Sequence, residues 1–246
     1  RTPKACGLPQ TTGLQIMNDI VTGVPIAVMD CTWLTAMRTP AVTALAAALH
    51  PHARTFGMFG GGVQGIGHVR FAAKALKELE KIYIYDKFPE SMDRFIEQVA
   101  DEVKLPIIKA SCPEEVVKNC EVLSSAAFIV REPMKLVRKE WIRKGQTILP
   151  CDLNTFWDPR IALTASTLWT ASTSTSCLPV WAISPTDCRR IACQTGEVLA
   201  GIAEGRTGED EIIVCSNIGI STNDVAMGQA ILTKALEMGI GTRMKL

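Results

Sequence analysis

The sequence carries no surplus of charge: 26 lysines and arginines stand against 25 aspartates and glutamates, a formal net charge of +1. That balance gives no electrostatic footprint for nucleic acid or for an anionic membrane surface. No uninterrupted apolar run approaches the roughly 20 residues of a membrane-spanning helix. Because 47 % of the residues are still apolar, the composition suits a soluble globular protein with a sizeable core. The nine cysteines contain no C-x-x-C pair and no secretory leader precedes them, which fits reduced thiols in a cytoplasmic protein. The three histidines build no metal site: His50 and His52 flank Pro51, His68 stands apart, and no thiol or carboxylate motif accompanies them. The chain opens on Arg1 rather than methionine, and the expectation is that an upstream region is missing.

What the sequence does hold is the stretch from Arg54 to Gly67. Thr55 to Phe59 is a short apolar run suited to a buried strand; three consecutive glycines follow, then an amphipathic stretch from Val63 to Leu79. Gly60, Gly62 and Gly65 fit the G-x-G-x-x-G spacing, in which the first glycine turns the chain, the second admits a pyrophosphate and the third packs helix on strand. Unpaired N–H groups at the helix start would face the phosphates. Gly61 and Gly67 allow other registers, so context decides. Lys81 to Tyr85 is a second strand-like run ending in Asp86, 26 residues after Gly60. An acid at that place accepts both hydroxyls of an adenosine ribose and repels a 2′-phosphate, which predicts NAD over NADP. Two negative groups about 4 Å apart repel by roughly 4 kcal/mol at an effective dielectric of about 20; Lys87 is the competing feature.

The alternation continues, with helices over Pro89–Val103 and Pro113–Cys120 and strands over Pro106–Lys109, Val122–Ala126 and Gly145–Cys151. Strands alternating with helices of this length predict an α/β fold with a doubly wound parallel sheet, whose ligands bind beyond the strand C-termini. Ser125 ends one strand and is a cofactor neighbour or a core serine; Asp152 and Asp158 follow another strand and are site candidates. Upstream, Arg1–Asp19 reads as an irregular entry segment and Ile20–Met29 as two short strands around Thr22-Gly23. Thr32–Leu49 reads as a helix in which Pro40 sets a first turn or a kink. Downstream, Gln194–Glu204 reads as a helix, Glu211–Cys215 as a strand and Thr222–Met238 as a closing helix, with Asp224 in its first turn.

Leu34-Thr35-Ala36-Met37-Arg38-Thr39, the Gly60–Gln64 turn and Ser216-Asn217-Ile218-Gly219 together resemble the ornithine cyclodeaminase and mu-crystallin family. The resemblance implies a Rossmann-type NAD-binding domain, residues 53–215, inserted in a smaller α+β substrate and dimerisation domain, residues 1–52 and 216–246. It implies a homodimer. By the same resemblance Arg38 contacts the cofactor phosphates, Val63 and Gln64 lie at the pyrophosphate, and Asn217 and Ile218 line the cofactor and substrate sites. The family's catalytic aspartate falls on Asn154, with Asp152 two residues before and Asp158 four after, and the upstream groups that hold a substrate carboxylate have no match. Two functions follow from this reading. One is an NAD-dependent enzyme acting at the carbon–nitrogen bond of an amino acid or cyclic imine, with Asp152 the first candidate to shuttle protons. The other is a non-catalytic protein that keeps nucleotide or a small ligand.

Thr164–Cys188 breaks the surrounding pattern, running 23 residues without a charge until Asp187. It reads either as a Ser/Thr-rich loop, long for a compact domain, or as a frame-shifted translation: one base out of phase, Ser166–Pro179 can encode a strand-like and then acidic peptide. In the second case the segment is expected not to complete the sheet. The strand at Pro25–Met29 is likewise expected to leave an open edge and an exposed apolar face.

Overall fold

The structure is a computed structural model; it describes residues 3–8, 11–128, 130, 134–152, 155–165, 167–170, 191–216 and 219–245. The chain divides into two compact units, Arg1–Arg38 with Ile220–Leu246, and Thr39–Gly219.

In the first unit, β1 (Leu14–Asn18) pairs antiparallel with β2 (Pro25–Asp30). Asp19 closes the turn by accepting hydrogen bonds from the backbone N–H groups of Val21 and Thr22. The first strand therefore lies within the segment read as irregular, and Ile20 and Val21 belong to the turn. Apolar periodicity gives no cue to this strand, because Leu14 and Ile16 are both exposed while Met17 is the strand's buried residue. Helix α1 (Cys31–Ala48) starts where the Asp30 carboxylate accepts from the N–H groups of Thr32 and Trp33, an N-cap at 3.1 and 2.9 Å. It runs through Pro40 without ending, so the expected first-turn placement does not hold. A closing helix, Ser221–Glu237, lies against β1: a Cβ on Gly228 would meet Gln15 Nε2 at 2.5 Å, and Gln15 Nε2 donates to the Asp224 carbonyl at 2.9 Å. The opposite face of the hairpin leaves Leu14, Ile16, Ile26 and Val28 exposed.

The second unit is an eight-stranded parallel sheet. Its elements are β3 (Thr55–Phe59), α2 (Val63–Ala75), β4 (Lys81–Tyr85), α3 (Pro89–Val99), β5 (Ile107–Lys109), α4 (Pro113–Asn119), β6 (Val122–Ser125) and β7 (Thr147–Pro150). There follow α5 (Arg160–Thr164), β8 (Thr167–Thr170), β9 (Ile191–Gln194), α6 (Thr195–Leu199) and β10 (Ile213–Ser216), so that the closing helix is α7. The strand order is β5-β4-β3-β6-β7-β10-β8-β9, all pairs parallel. Neighbouring residues of β3 feed opposite cores, Phe56 and Met58 packing with Ile66, Val69 and Phe95, and Phe59 with Val116, Ile148 and Trp157. A sheet covered on both faces explains why its strands read as continuous apolar runs.

Two expectations change here. Thr167–Thr170, within the anomalous segment, does join the sheet, pairing with β10 on one side and β9 on the other. Most of Thr164–Cys188 lies outside the described residues. The helix expected over Gln194–Glu204 is shorter, Thr195–Leu199: Gln194 ends β9 and caps α6 through a capping box with Glu197.

Candidate cofactor and active site

The sheet order reverses its direction of winding between β3 and β6, which makes the crevice beyond their C-terminal ends the place where such sheets bind ligands. The three glycines after β3 divide the work. Gly60 has φ +103°, a backbone that side chains rarely adopt, and a Cβ there would meet the Ala126 carbonyl oxygen at 2.9 Å. Gly65 passes so close beneath the turn that its Cβ would stand 2.0 Å from the Gly60 oxygen. Gly62 is the contrary case: nothing lies within 4 Å of the position a Cβ would take. Strand turn, open cradle and tight helix packing thus fall on the three positions that the spacing assigned to them.

Gly62 is the N-cap of α2, no side-chain hydrogen bond caps that helix and no acid stands in its first turn, so the positive end of the helix dipole has no carboxylate of its own beside it. Gly62 and Val63 are exposed, and Gln64 follows half-buried. His68 fixes the turn from behind. Its Nδ1 donates to the Gln64 carbonyl at 2.6 Å, and Nε2 then accepts from the Thr43 hydroxyl at 3.0 Å. The ring is buried and neutral, and burial pushes its pKa down to about 4.

Asp86 ends β4 beside the glycines. One carboxylate oxygen accepts from the Gly61 N–H at 2.8 Å and the other from the Phe88 N–H at 3.0 Å. An ionised carboxylate offers about four acceptor positions, so two remain for vicinal hydroxyls. Lys87, the competing cation, lies over the Phe88 ring at 5.8 Å from its centroid. The residues present therefore fit a dinucleotide: an open cradle over Gly62, uncapped helix N–H groups and a half-satisfied carboxylate at the strand end.

The candidates after β7 part company. Asp152 is 1 % exposed; its Oδ1 accepts from the Ser125 hydroxyl at 2.6 Å and its Oδ2 from the Ala127 N–H at 3.0 Å. Burial pushes its pKa up to about 6, against the pull of those two hydrogen bonds. Asp158, six residues on, is held by Arg160, whose Nε donates to both its oxygens at 2.9 and 3.0 Å and whose Nη2 also reaches it. Arg160 keeps that carboxyl below its ordinary pKa, committed to an ion pair. Ser125 is fully buried with its hydroxyl engaged on both sides, accepting from Trp157 Nε1 at 2.7 Å and donating to Asp152, so it sits behind the crevice as a core serine. Arg38, in the first unit, has its Nε 2.8 Å from Asp224 Oδ1, an ion pair that Asp224's position in a first helical turn does not reveal. Asn154, Asn217 and Ile218 lie outside the described residues. The reading of the sequence passed over Trp157, although a tryptophan among polar residues just past a strand end is itself a signal.

The profile of the ornithine cyclodeaminase/mu-crystallin family matches residues 1–239. The chain belongs to this family. Among curated relatives, the nodulation efficiency protein NfeD of Rhizobium meliloti is 29 % identical over 243 residues, 97 % of this chain and 74 % of that one. The alanine dehydrogenase of Archaeoglobus fulgidus is 26 % identical over 250 residues, covering 97 % and 75 %. Among solved structures, the Thermococcus litoralis Δ1-pyrroline-2-carboxylate reductase in complex with NADH and L-proline superposes with a TM-score of 0.85 at 25 % identity, covering 98 % of this chain and 77 % of that one. The family likeness thus extends over both units.

Proposed function

We propose that this chain is an NAD(H)-dependent enzyme acting at the carbon–nitrogen bond of an amino acid or a cyclic imine. The observation that carries the reading is the cradle itself: open space over Gly62, at the uncapped start of α2, with Asp86 anchored to Gly61 beside it. Gly60 turns the chain, its own N–H donated to the Tyr85 carbonyl at 2.9 Å; Gly62 and Val63 take the pyrophosphate on backbone N–H groups with Gln64 beside them, and Asp86 accepts the adenosine ribose hydroxyls, which selects NAD(H) against NADP(H). When bound, the nicotinamide supplies or accepts a hydride at the carbon that bears nitrogen. Arg38, the residue that the family resemblance assigns to the phosphates, pairs with Asp224 within the first unit. Asp152 holds the proton that the nitrogen or water must gain or lose, since a carboxyl pushed up to about 6 exchanges protons near neutral pH. Asp158, tied to Arg160, takes no part.

The named relatives, a dehydrogenase of alanine and a reductase of a cyclic imine bound to NADH and proline, support the substrate class. The first unit supplies substrate contacts and the contact between two copies; the exposed Leu14, Ile16, Ile26 and Val28 face favours a homodimer, which light scattering of the eluted protein tests. The cysteines among the described residues are free, which supports a cytoplasmic location.

The deciding experiment adds NADH to the protein with a set of five- and six-membered cyclic imino acids and follows absorbance, beside a binding titration. Asp152→Asn lowers turnover by about 100-fold and raises the Kd for NADH by no more than about tenfold. Unchanged turnover removes Asp152 from the mechanism. A second reading, retention of nucleotide without turnover, is favoured by one observation: Asp152 is closed off, with both oxygens bonded inside the protein. NADH binding with no turnover of any imine supports that reading.

A further inference from the structure

Trp157 is fully buried in the core under the crevice, and it reaches both crevice walls. Its ring stands edge-on to Phe59 at 5.6 Å between centroids, and Phe59 is the residue directly before Gly60. Its main chain is pinned by the bridge to Val137, with the Asp158 N–H donating to the Val137 carbonyl at 2.9 Å. The indole nitrogen points the other way, at Ser125.

The direction of that contact is forced. An indole N–H can only donate, so the Ser125 oxygen accepts, and the single hydroxyl proton of Ser125 is then left for Asp152 Oδ1. The other carboxylate oxygen holds the Ala127 N–H. Ala126, between Ser125 and Ala127, donates its own N–H to the Phe59 carbonyl at 2.9 Å and lays its carbonyl oxygen where a Gly60 side chain would be. From indole to glycine turn the chain of contacts is unbroken, and with Asp152 ionised every donor and acceptor in it has one assignment.

We propose that Trp157 is a positioning residue for the nicotinamide half of the crevice: through Ser125 and Asp152 it fixes Ala126 and Ala127, the wall opposite Asp86. The inference rests on the dinucleotide reading above and holds whether or not the protein turns over a substrate. Sheet order gives it a direction. Asp86 on β4 takes the adenosine side of β3, so the wall after β6 faces the remaining half of the ligand. A neutral hydrogen bond that keeps a buried pair in register contributes about 1 kcal/mol, and Trp157→Phe deletes it while keeping an aromatic ring against Phe59.

The test titrates wild type and Trp157→Phe with NADH and, separately, with ADP, which carries the adenosine and diphosphate without the nicotinamide half. The expected result is a Kd for NADH raised by about fivefold to tenfold, with the Kd for ADP unchanged within about twofold. Equal weakening of both ligands makes Trp157 a packing residue only and overturns the proposal; so does an unchanged Kd for NADH. Should Trp157→Phe fail to fold, Ser125→Ala interrupts the same chain one step on, and the same split between NADH and ADP is required of it. Wild type that binds neither ligand overturns the dinucleotide reading itself, a result distinct from a wild type that binds both and variants that show no split.

Discussion

Two alanine substitutions three residues apart should have opposite consequences. At Gly62 the backbone has φ −80° and nothing lies within 4 Å of a new Cβ, so alanine meets no clash. The cost to stability is that of a weaker N-cap, about 1 kcal/mol or less. At Gly65 alanine has the better helix propensity by about 1 kcal/mol, but its Cβ would stand 2.0 Å from the Gly60 oxygen, and two backbones must separate. Overpacking of that kind costs about 3 kcal/mol or more, so the sterics win. Gly62→Ala should therefore melt within a few degrees of wild type and bind NADH at least about tenfold more weakly, because the methyl group fills the space left for phosphate. Gly65→Ala should lose stability first and binding with it. Urea denaturation and NADH titration of both variants decide the matter. A Gly62→Ala protein that binds NADH like wild type would place the phosphates elsewhere and remove the observation on which the functional reading stands.

Asp86→Ser should narrow or reverse the preference for NAD(H), read as the ratio of the two Kd values at one ionic strength; an unchanged ratio would mean that Asp86 does not face the ribose. Asp152 has a folded pKa of about 6, above its ordinary 3.8, so its stabilising contribution is complete below pH 3.8 and is lost as pH rises through about 6, a change of about 3 kcal/mol. His68, neutral and buried with a pKa of about 4 against 6.5, acts in the opposite sense, stabilising above pH 6.5 and losing about 3 kcal/mol as pH falls toward 4. The two offset each other in wild type, so urea denaturation of Asp152→Asn at pH 7 and pH 4 should show a steeper acid loss than wild type; identical slopes would refute the burial argument. Arg160→Ala should return Asp158 toward an ordinary carboxyl titration without changing NADH affinity, and a weakened Kd would bring Asp158 back to the site.

What was legible in the sequence was local. The run from Thr55 to Asp86 could be read because a strand, its turn, its helix and the next strand's terminal acid are consecutive, and each glycine answers a short-range demand of the turn. The acceptor roles of Asp86 follow from its position one residue past β4. Leu14–Asn18 was hidden because the strand's exposed residues are as apolar as its buried one, which erases the period-2 signal. The place of β8 between β10 and β9 was equally hidden. Parallel neighbours are joined by long connections, so nothing near Thr167 names its partners.

The same distinction separates the two acids that matter at the crevice. Asp86 keeps the character that its sequence position suggests, because its hydrogen bonds come from residues of its own turn and the adjacent glycines. Asp152 does not, since Ser125, Ala127 and the indole behind them reach it from β6 and from the chain past β7. A carboxylate after a strand end reads as a group offered to substrate, whereas this one is turned inward and its pKa is set by burial. Its chemistry is therefore decided by a tertiary contact that no spacing rule contains. The consequence is that Asp152 and Trp157 have to be tested together: a proton-holding role predicts a loss in turnover for Asp152→Asn, a wall-holding role predicts a loss in NADH affinity for Trp157→Phe, and the two readouts are independent.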